Sequence, residues 1–95
     1  MYEVMIRLKV QEARVAEFEA LVSTLVADIH ANEPEPKTYE VRRGAEPFSY
    51  VYFMSFADKG AYLRYADAPY HRKASPLIVA CLDGDPVFEK LEMFY

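Results

Sequence analysis

Tyr65, Tyr70 and His71 stand close together in the segment "YADAPYHRKAS", residues 65–75. Histidine has an ordinary pKa of about 6.5, near neutrality. His71 therefore suits a general base that takes a proton from a phenolic hydroxyl or from a carbon between two carbonyls. Tyrosine, with a pKa of about 10, is a poor base. The hydroxyls of Tyr65 and Tyr70 suit a different task, hydrogen-bonding a substrate oxygen while a phenolate or enolate develops. On one continuous helix the two tyrosines would point about 140° apart. Pro69 breaks that helix and leaves open a shared pocket. A plainer reading stands beside this one. His71, near Asp67 and Arg72, also fits a surface or capping histidine, and the tyrosines fit an aromatic core with hydroxyls at its edge.

Other side chains carry weaker signals. Arg7 faces away from an apolar stripe and suits either an anion anchor or an ion pair with Glu89 or Glu92 on a neighbouring strand. Arg64 is a second cation able to balance a substrate anion. Tyr39, Tyr50 and Tyr52 lie on strands, where cross-strand packing explains them and a place facing a cavity is open to any one of them. Cys81 sits in the apolar run "LIVACL" and reads as a buried structural thiol. Ser49, Ser55 and Ser75 have no histidine and aspartate at a spacing that suggests a nucleophilic triad. His30 and His71 are too few and too distant in sequence to argue for a metal, and no cofactor is expected.

The elements that must position these residues are legible as a change of period. Tyr2, Val4, Ile6, Leu8 and Val10 alternate with more polar residues, which predicts a strand. Val15, Phe18, Val22, Leu25 and Ile29 step by three and four, which predicts an amphipathic helix closed by Asn32, Pro34 and Pro36. His30 falls in its last turn, where a cation suits the helix dipole. "KTYEVRRG" and "FSYVYFMSF" predict a hairpin over residues 39–56 with β-branched and aromatic bias. Asp58 is the expected N-cap of the next helix. Pro69 and then Ser75-Pro76 are each expected to begin a fresh helical segment. "VFEKLEMFY" is expected to be a final strand held in the sheet as far as Tyr95. The order is βα-ββ-αβ, which predicts an α+β, ferredoxin-like split βαβ (βαββαβ) with an antiparallel sheet and helices on one face.

Ninety-five residues suggest a single domain over 1–95, and 53% of them are hydrophobic. That is more apolar material than so short a chain hides comfortably. Both faces of "FSYVYFMSF" are apolar, so a homodimer through the sheet face is expected, giving a dimeric α+β barrel. The net charge of −4, with no basic face, argues against nucleic acid. No apolar run approaches the length that spans a bilayer, and "MYEVMIRLKV" is too charged for a signal peptide, so no membrane partner and a cytoplasmic location are expected.

Several stretches resemble the antibiotic biosynthesis monooxygenase family of the dimeric α+β barrel superfamily. "EFEAL" at 17–21 is similar to its first-helix segment, and "EPEPKTYEV" at 33–41 to its "EPGCLRYEV" stretch. "YVYFMSFADKGAYLRY" at 50–65 resembles the strand that runs into an "AD-x-x-A-Y" helix start, and "APYHRKAS" at 68–75 resembles its "sPHF" segment. Their order and spacing carry the likeness over nearly the whole chain. The resemblance implies a homodimer with a pocket between helices and sheet in each subunit. For some members it implies oxidation of quinols or anthrones by molecular oxygen without metal or flavin. Positions that often hold a histidine pair in the family fall on Tyr65 and Tyr70, with His71 one place later. Its frequent strand-three glutamate falls on Met54. The absence of tryptophan separates the chain from the haem-degrading branch.

The expectation is therefore a cofactor-free monooxygenase for a small electron-rich aromatic, quinol or polyketide-like substrate. His71, Tyr65 and Tyr70 would act on it, with Arg7, Arg64, Tyr39, Tyr50 and Tyr52 as substrate contacts. Two alternatives remain at this stage. One is a non-catalytic dimeric module binding an apolar small molecule, and the other an oxygen-independent, isomerase-like relative on the same barrel.

Overall fold

The alternation at the start of the chain does form a strand. In the computed structural model, which describes residues 1–94, β1 spans Tyr2–Lys9, and Val10 adds an isolated bridge to Leu82. A short 3-10 turn (Glu12–Arg14) leads into α1 (Val15–Asn32). The three-four spacing buries Phe18, Val22, Leu25 and Ile29 on one side of α1, and the helix ends ahead of Pro34, which cannot extend it. The hairpin follows as β2 (Pro36–Arg43) and β3 (Ser49–Phe56). Asp58 caps α2 (Lys59–Ala66), its carboxylate accepting the Ala61 N–H at 2.8 Å. Pro69 opens α3 (Pro69–Val79), and β4 (Val87–Leu91) closes the sheet.

The strands lie in the order β2-β3-β1-β4, every neighbouring pair antiparallel. Each β–α–β unit thus has a strand of the other unit between its own two, which is the ferredoxin-like arrangement. The helices cover the face that carries Val4, Leu8, Tyr39, Tyr52, Met54 and Phe56. Phe18 and Phe56 are fully buried. Phe18 packs on Tyr50 with ring centroids 4.6 Å apart, and Phe56 meets Tyr62 and Tyr65 at 5.3 and 5.4 Å.

Two boundaries differ from expectation. Ser75-Pro76 does not start a new segment, because α3 runs through Pro76 to Val79. Pro76 lacks only the N–H that would reach Arg72, a residue exposed to water, so the loss is tolerated there. The last strand stops at Leu91 because Leu91 pairs with Glu3, and β1 itself begins at Tyr2. Its partner runs out. Glu92–Phe94 lie outside the ladder, and the expectation for Tyr95 falls outside the described residues.

The other face of the sheet has no helix. Met5 lies opposite Phe53 and Arg7 opposite Val51, so an apolar centre is set among charges. Arg7 donates to Glu89 at 2.8 Å and Arg42 to Glu40 at 2.7 Å, both as exposed pairs that contribute little to stability. Replacing Phe18 by alanine empties the centre of the helix–sheet interface. A loss of about 3–5 kcal/mol is expected, a large share of the stability of a domain this size, and a lowered urea midpoint reads it directly.

Candidate active site

Between the helices and the sheet the aromatic packing leaves a cavity of about 150 Å³. Its floor comes from β1 and β3 (Ile6, Leu8, Tyr52, Met54), one end from Tyr39 on β2, and its roof from α2 and α3. Helical spacing explains the roof. Tyr62 and Tyr65 are three apart on α2; His71, Ser75 and Ile78 are four and three apart on α3. Each set therefore faces one way. Most of the lining is apolar, and the polar groups are few: the hydroxyls of Tyr39, Tyr52, Tyr62, Tyr65 and Ser75, and the imidazole of His71.

His71 occupies the first turn of α3 and reaches back across the Pro69 break. Its Nδ1 lies 3.0 Å from the Ala66 carbonyl oxygen at the end of α2. A carbonyl only accepts, so Nδ1 carries the hydrogen and Nε2 carries the lone pair. Among the described residues no buried side-chain nitrogen or oxygen lacks a partner. Nε2 has no hydrogen-bond partner among the described residues and therefore borders open space. Burial is the main influence on the ring and lowers its pKa from the ordinary 6.5; the Ala66 bond opposes this more weakly. His71 is thus held neutral, with a basic nitrogen free.

Facing it is a buried pair of phenols. The hydroxyls of Tyr39 and Tyr65 lie 2.8 Å apart, and both residues are 3% exposed. The Tyr65 ring packs at a tilt against the His71 ring, with centroids 4.7 Å apart, and against the Tyr39 ring at 5.5 Å. Only one of the two phenolic hydrogens fits between the oxygens, so the second is left for another acceptor. Burial pushes the Tyr39 hydroxyl up to about 12 and raises those of Tyr52 and Tyr65 as well. All three stay protonated and able to donate at neutral pH. His30, at the end of α1, donates from Nε2 to the Tyr39 carbonyl at 3.1 Å and ties that strand to the helix.

The structure brings His71, Tyr65, Tyr39 and Tyr52 to one cavity and places the other candidates elsewhere. Tyr70 turns to the opposite side of α3, where its hydroxyl donates to Glu33 at 2.5 Å. Arg7 lies on the uncovered sheet face, paired with Glu89. Arg64 is exposed and bidentate to Glu35 at 2.8 and 3.2 Å. Tyr50 donates to Glu19, a carboxylate that Arg43 first and Tyr50 second hold down at about 2. These four stabilise junctions between elements instead of lining the cavity. Tyr62 was missed by sequence reasoning and Ser75 was weighed only as a nucleophile, although each lines the cavity at a helical spacing from a residue that was singled out. No group of three or more His, Cys, Asp or Glu among the described residues is placed to hold a metal, and no helix is long and apolar enough to cross a membrane.

The lowered pKa of His71 has a stability consequence. The unfolded chain takes up this proton at a higher pH than the folded chain does. Stability is therefore full above about pH 6.5 and declines as pH falls toward the folded pKa. An NMR titration of the His71 ring is expected to show a midpoint below 6.5, and thermal midpoints are expected to drop over the same range, less so in His71→Gln. Tyr65→Phe takes a partner from the Tyr39 hydroxyl and is expected to cost about 1 kcal/mol, a fall of about 4–8 °C in Tm.

The comparisons with known proteins agree with this architecture. The sequence model of the family described as antibiotic biosynthesis monooxygenase matches residues 1–77. A solved structure from Caulobacter crescentus that bears the family's name is 30% identical; the match covers 99% of this chain and 90% of that one, with a TM-score of 0.92. A conserved protein from Methanosarcina mazei (20% identical, 95% and 89% covered, TM-score 0.88) and a protein from Nitrosomonas europaea (11% identical, both chains fully covered, TM-score 0.88) share the fold. No curated protein matches the chain. Family and neighbours support a general monooxygenase-like role. A ferredoxin-like sheet, a family model spanning most of the chain and a near-complete structural match at 30% identity together place this chain in the antibiotic biosynthesis monooxygenase family.

Proposed function

We propose that the chain is a cofactor-independent monooxygenase acting on a small phenol or hydroquinone. The observation that carries this reading is the free Nε2 of a neutral His71 in the same cavity as the Tyr39–Tyr65 hydroxyl pair. Nε2 takes the proton of the substrate hydroxyl. The second hydrogen of the tyrosine pair is available to the resulting phenolate oxygen, a donor fixed in place before charge develops. The electron-rich anion gives one electron to dioxygen, forming superoxide and a substrate radical. These combine at a ring carbon that bears a hydrogen, which makes a carbon–oxygen bond to a hydroperoxide. Loss of that hydrogen and cleavage of the O–O bond release water and leave a quinone carbonyl. One oxygen atom enters the product and the other leaves as water, so no external reductant is consumed. Apolar walls from Leu25, Met54 and Ile78 suit an apolar gas and keep bulk water from the radical pair.

The proposal includes a homodimer. Met5, Val51 and Phe53 form an apolar centre on the uncovered sheet face, and a second sheet would cover it. Phe53→Lys is expected to shift sedimentation from dimer to monomer without unfolding the helices.

Oxygen uptake by the purified protein tests the chemistry. With a panel of phenols, hydroquinones and naphthols, consumption is expected in equimolar ratio to quinone formed. His71→Ala should lower kcat by about 10²-fold or more, and the acid limb of kcat/KM should fall below pH 6.5. Unchanged turnover in His71→Ala and Tyr65→Phe would sink the assignment. Binding without oxygen uptake would point to a carrier of phenols instead.

A further inference from the structure

The cavity differs sharply between its two ends. At the inner end Tyr39 and Tyr65 are 3% exposed and Met54 is 1% exposed. At the outer end the lining residues Val79 and Phe88 are 55% and 60% exposed. The polar pair of hydroxyls is therefore deep, and the mouth is an apolar lip. Tyr52, Ile6 and Phe88 are direct partners across β3, β1 and β4. Strands lie about 4.8 Å apart, so this row runs about 10 Å from the inner tyrosines to the sheet edge.

Volume restricts what fits. A cavity of about 150 Å³ accommodates a benzene-sized guest, and anything longer extends through its mouth. One aromatic ring fills the inner half of the row. The outer half remains apolar, bounded by Val79, Leu82, Pro86 and Phe88. Phe88 stands on an edge strand, a position where polar residues are usual, and an exposed apolar patch that continues into a cavity marks a binding surface. Asp83 and Asp85 adjoin the lining residues Leu82 and Pro86 in the chain, so the local charge disfavours an anionic group there. The match to the family ends at residue 77, and the whole lip lies beyond it.

We infer that the substrate is a single-ring phenol with an uncharged apolar substituent opposite the reacting hydroxyl and a hydrogen on the carbon beside it, where the oxygen enters. The ring occupies the inner cavity with its hydroxyl toward Tyr39, Tyr65 and His71. The substituent extends along the Tyr52–Ile6–Phe88 row and covers Val79, Leu82 and Phe88. This inference rests on the reading of the cavity as the substrate site.

Calorimetric binding of phenol, para-cresol, para-butylphenol and para-hexylphenol separates the two ideas. Affinity is expected to rise about fourfold per methylene and to level off once the chain passes the lip. Phe88→Thr and Val79→Thr, both at exposed positions, should flatten that slope. His71→Gln should keep the slope and lose turnover. A phenol bearing a carboxylate at the chain end should bind more weakly than its neutral counterpart. Equal affinities along the series, or a slope that survives Phe88→Thr, would overturn the substituent and leave the site standing. Failure of every ring compound, phenol included, to bind or to shift the His71 ring resonances would overturn the site as well.

Discussion

The site depends on the break between α2 and α3. Pro69 cannot continue a helix that needs its N–H, and the residue before a proline is forced out of helical conformation. Ala68 accordingly sits at φ −63°, ψ 142°. The chain turns, and His71 in the new first turn comes back within 3.0 Å of the Ala66 carbonyl. That single hydrogen bond spans the break, fixes the tautomer and aims the remaining nitrogen. The same turn separates Tyr65 from Tyr70. One stays under α2 in the core, while the other is carried to Glu33 on the far side of α3.

Around this elbow the fold buries an unusual share of phenols. Tyr39, Tyr52 and Tyr65 are each nearly sealed from water, yet their aromatic bodies pack as well as phenylalanine would. The hydroxyl of Tyr65 is satisfied by Tyr39, and Tyr52 faces the cavity. A core built this way is stable only because each polar tip has a partner or an open space. It also leaves donors in a place where water is scarce, which is where a developing charge gains most from them. In the proposed reaction, packing and chemistry use the same side chains.

The ionic groups have a different role. Arg64 with Glu35, Tyr70 with Glu33, and Arg43 with Glu19 each join a helix to β2 or to the segment before it. The two arginine pairs are exposed and add little to global stability, whereas the Tyr70–Glu33 bond is part-buried. Arg64 and Tyr70, singled out in the linear reading, are placed at these junctions outside the cavity.

Much was legible from the chain alone. The period-two run of β1, the three-four stripe of α1 and the Asp58 cap gave the element order, and that order leaves few antiparallel sheets. His71 and Tyr65 were visible as candidates because of their chemistry, and the family likeness because of short motifs in order. Where side chains meet was not legible. Tyr50 and Tyr52 are two apart on one strand and face the same way, yet only Tyr52 reaches the cavity, since Tyr50 lies where α1 covers the sheet. Arg7 was equally suited to an anion or to Glu89; the β1–β4 register brought Glu89 within reach. Local spacing determines which face a residue takes, because that depends only on backbone geometry. What lies opposite that face depends on contacts between residues far apart in the chain, and only tertiary packing decided those.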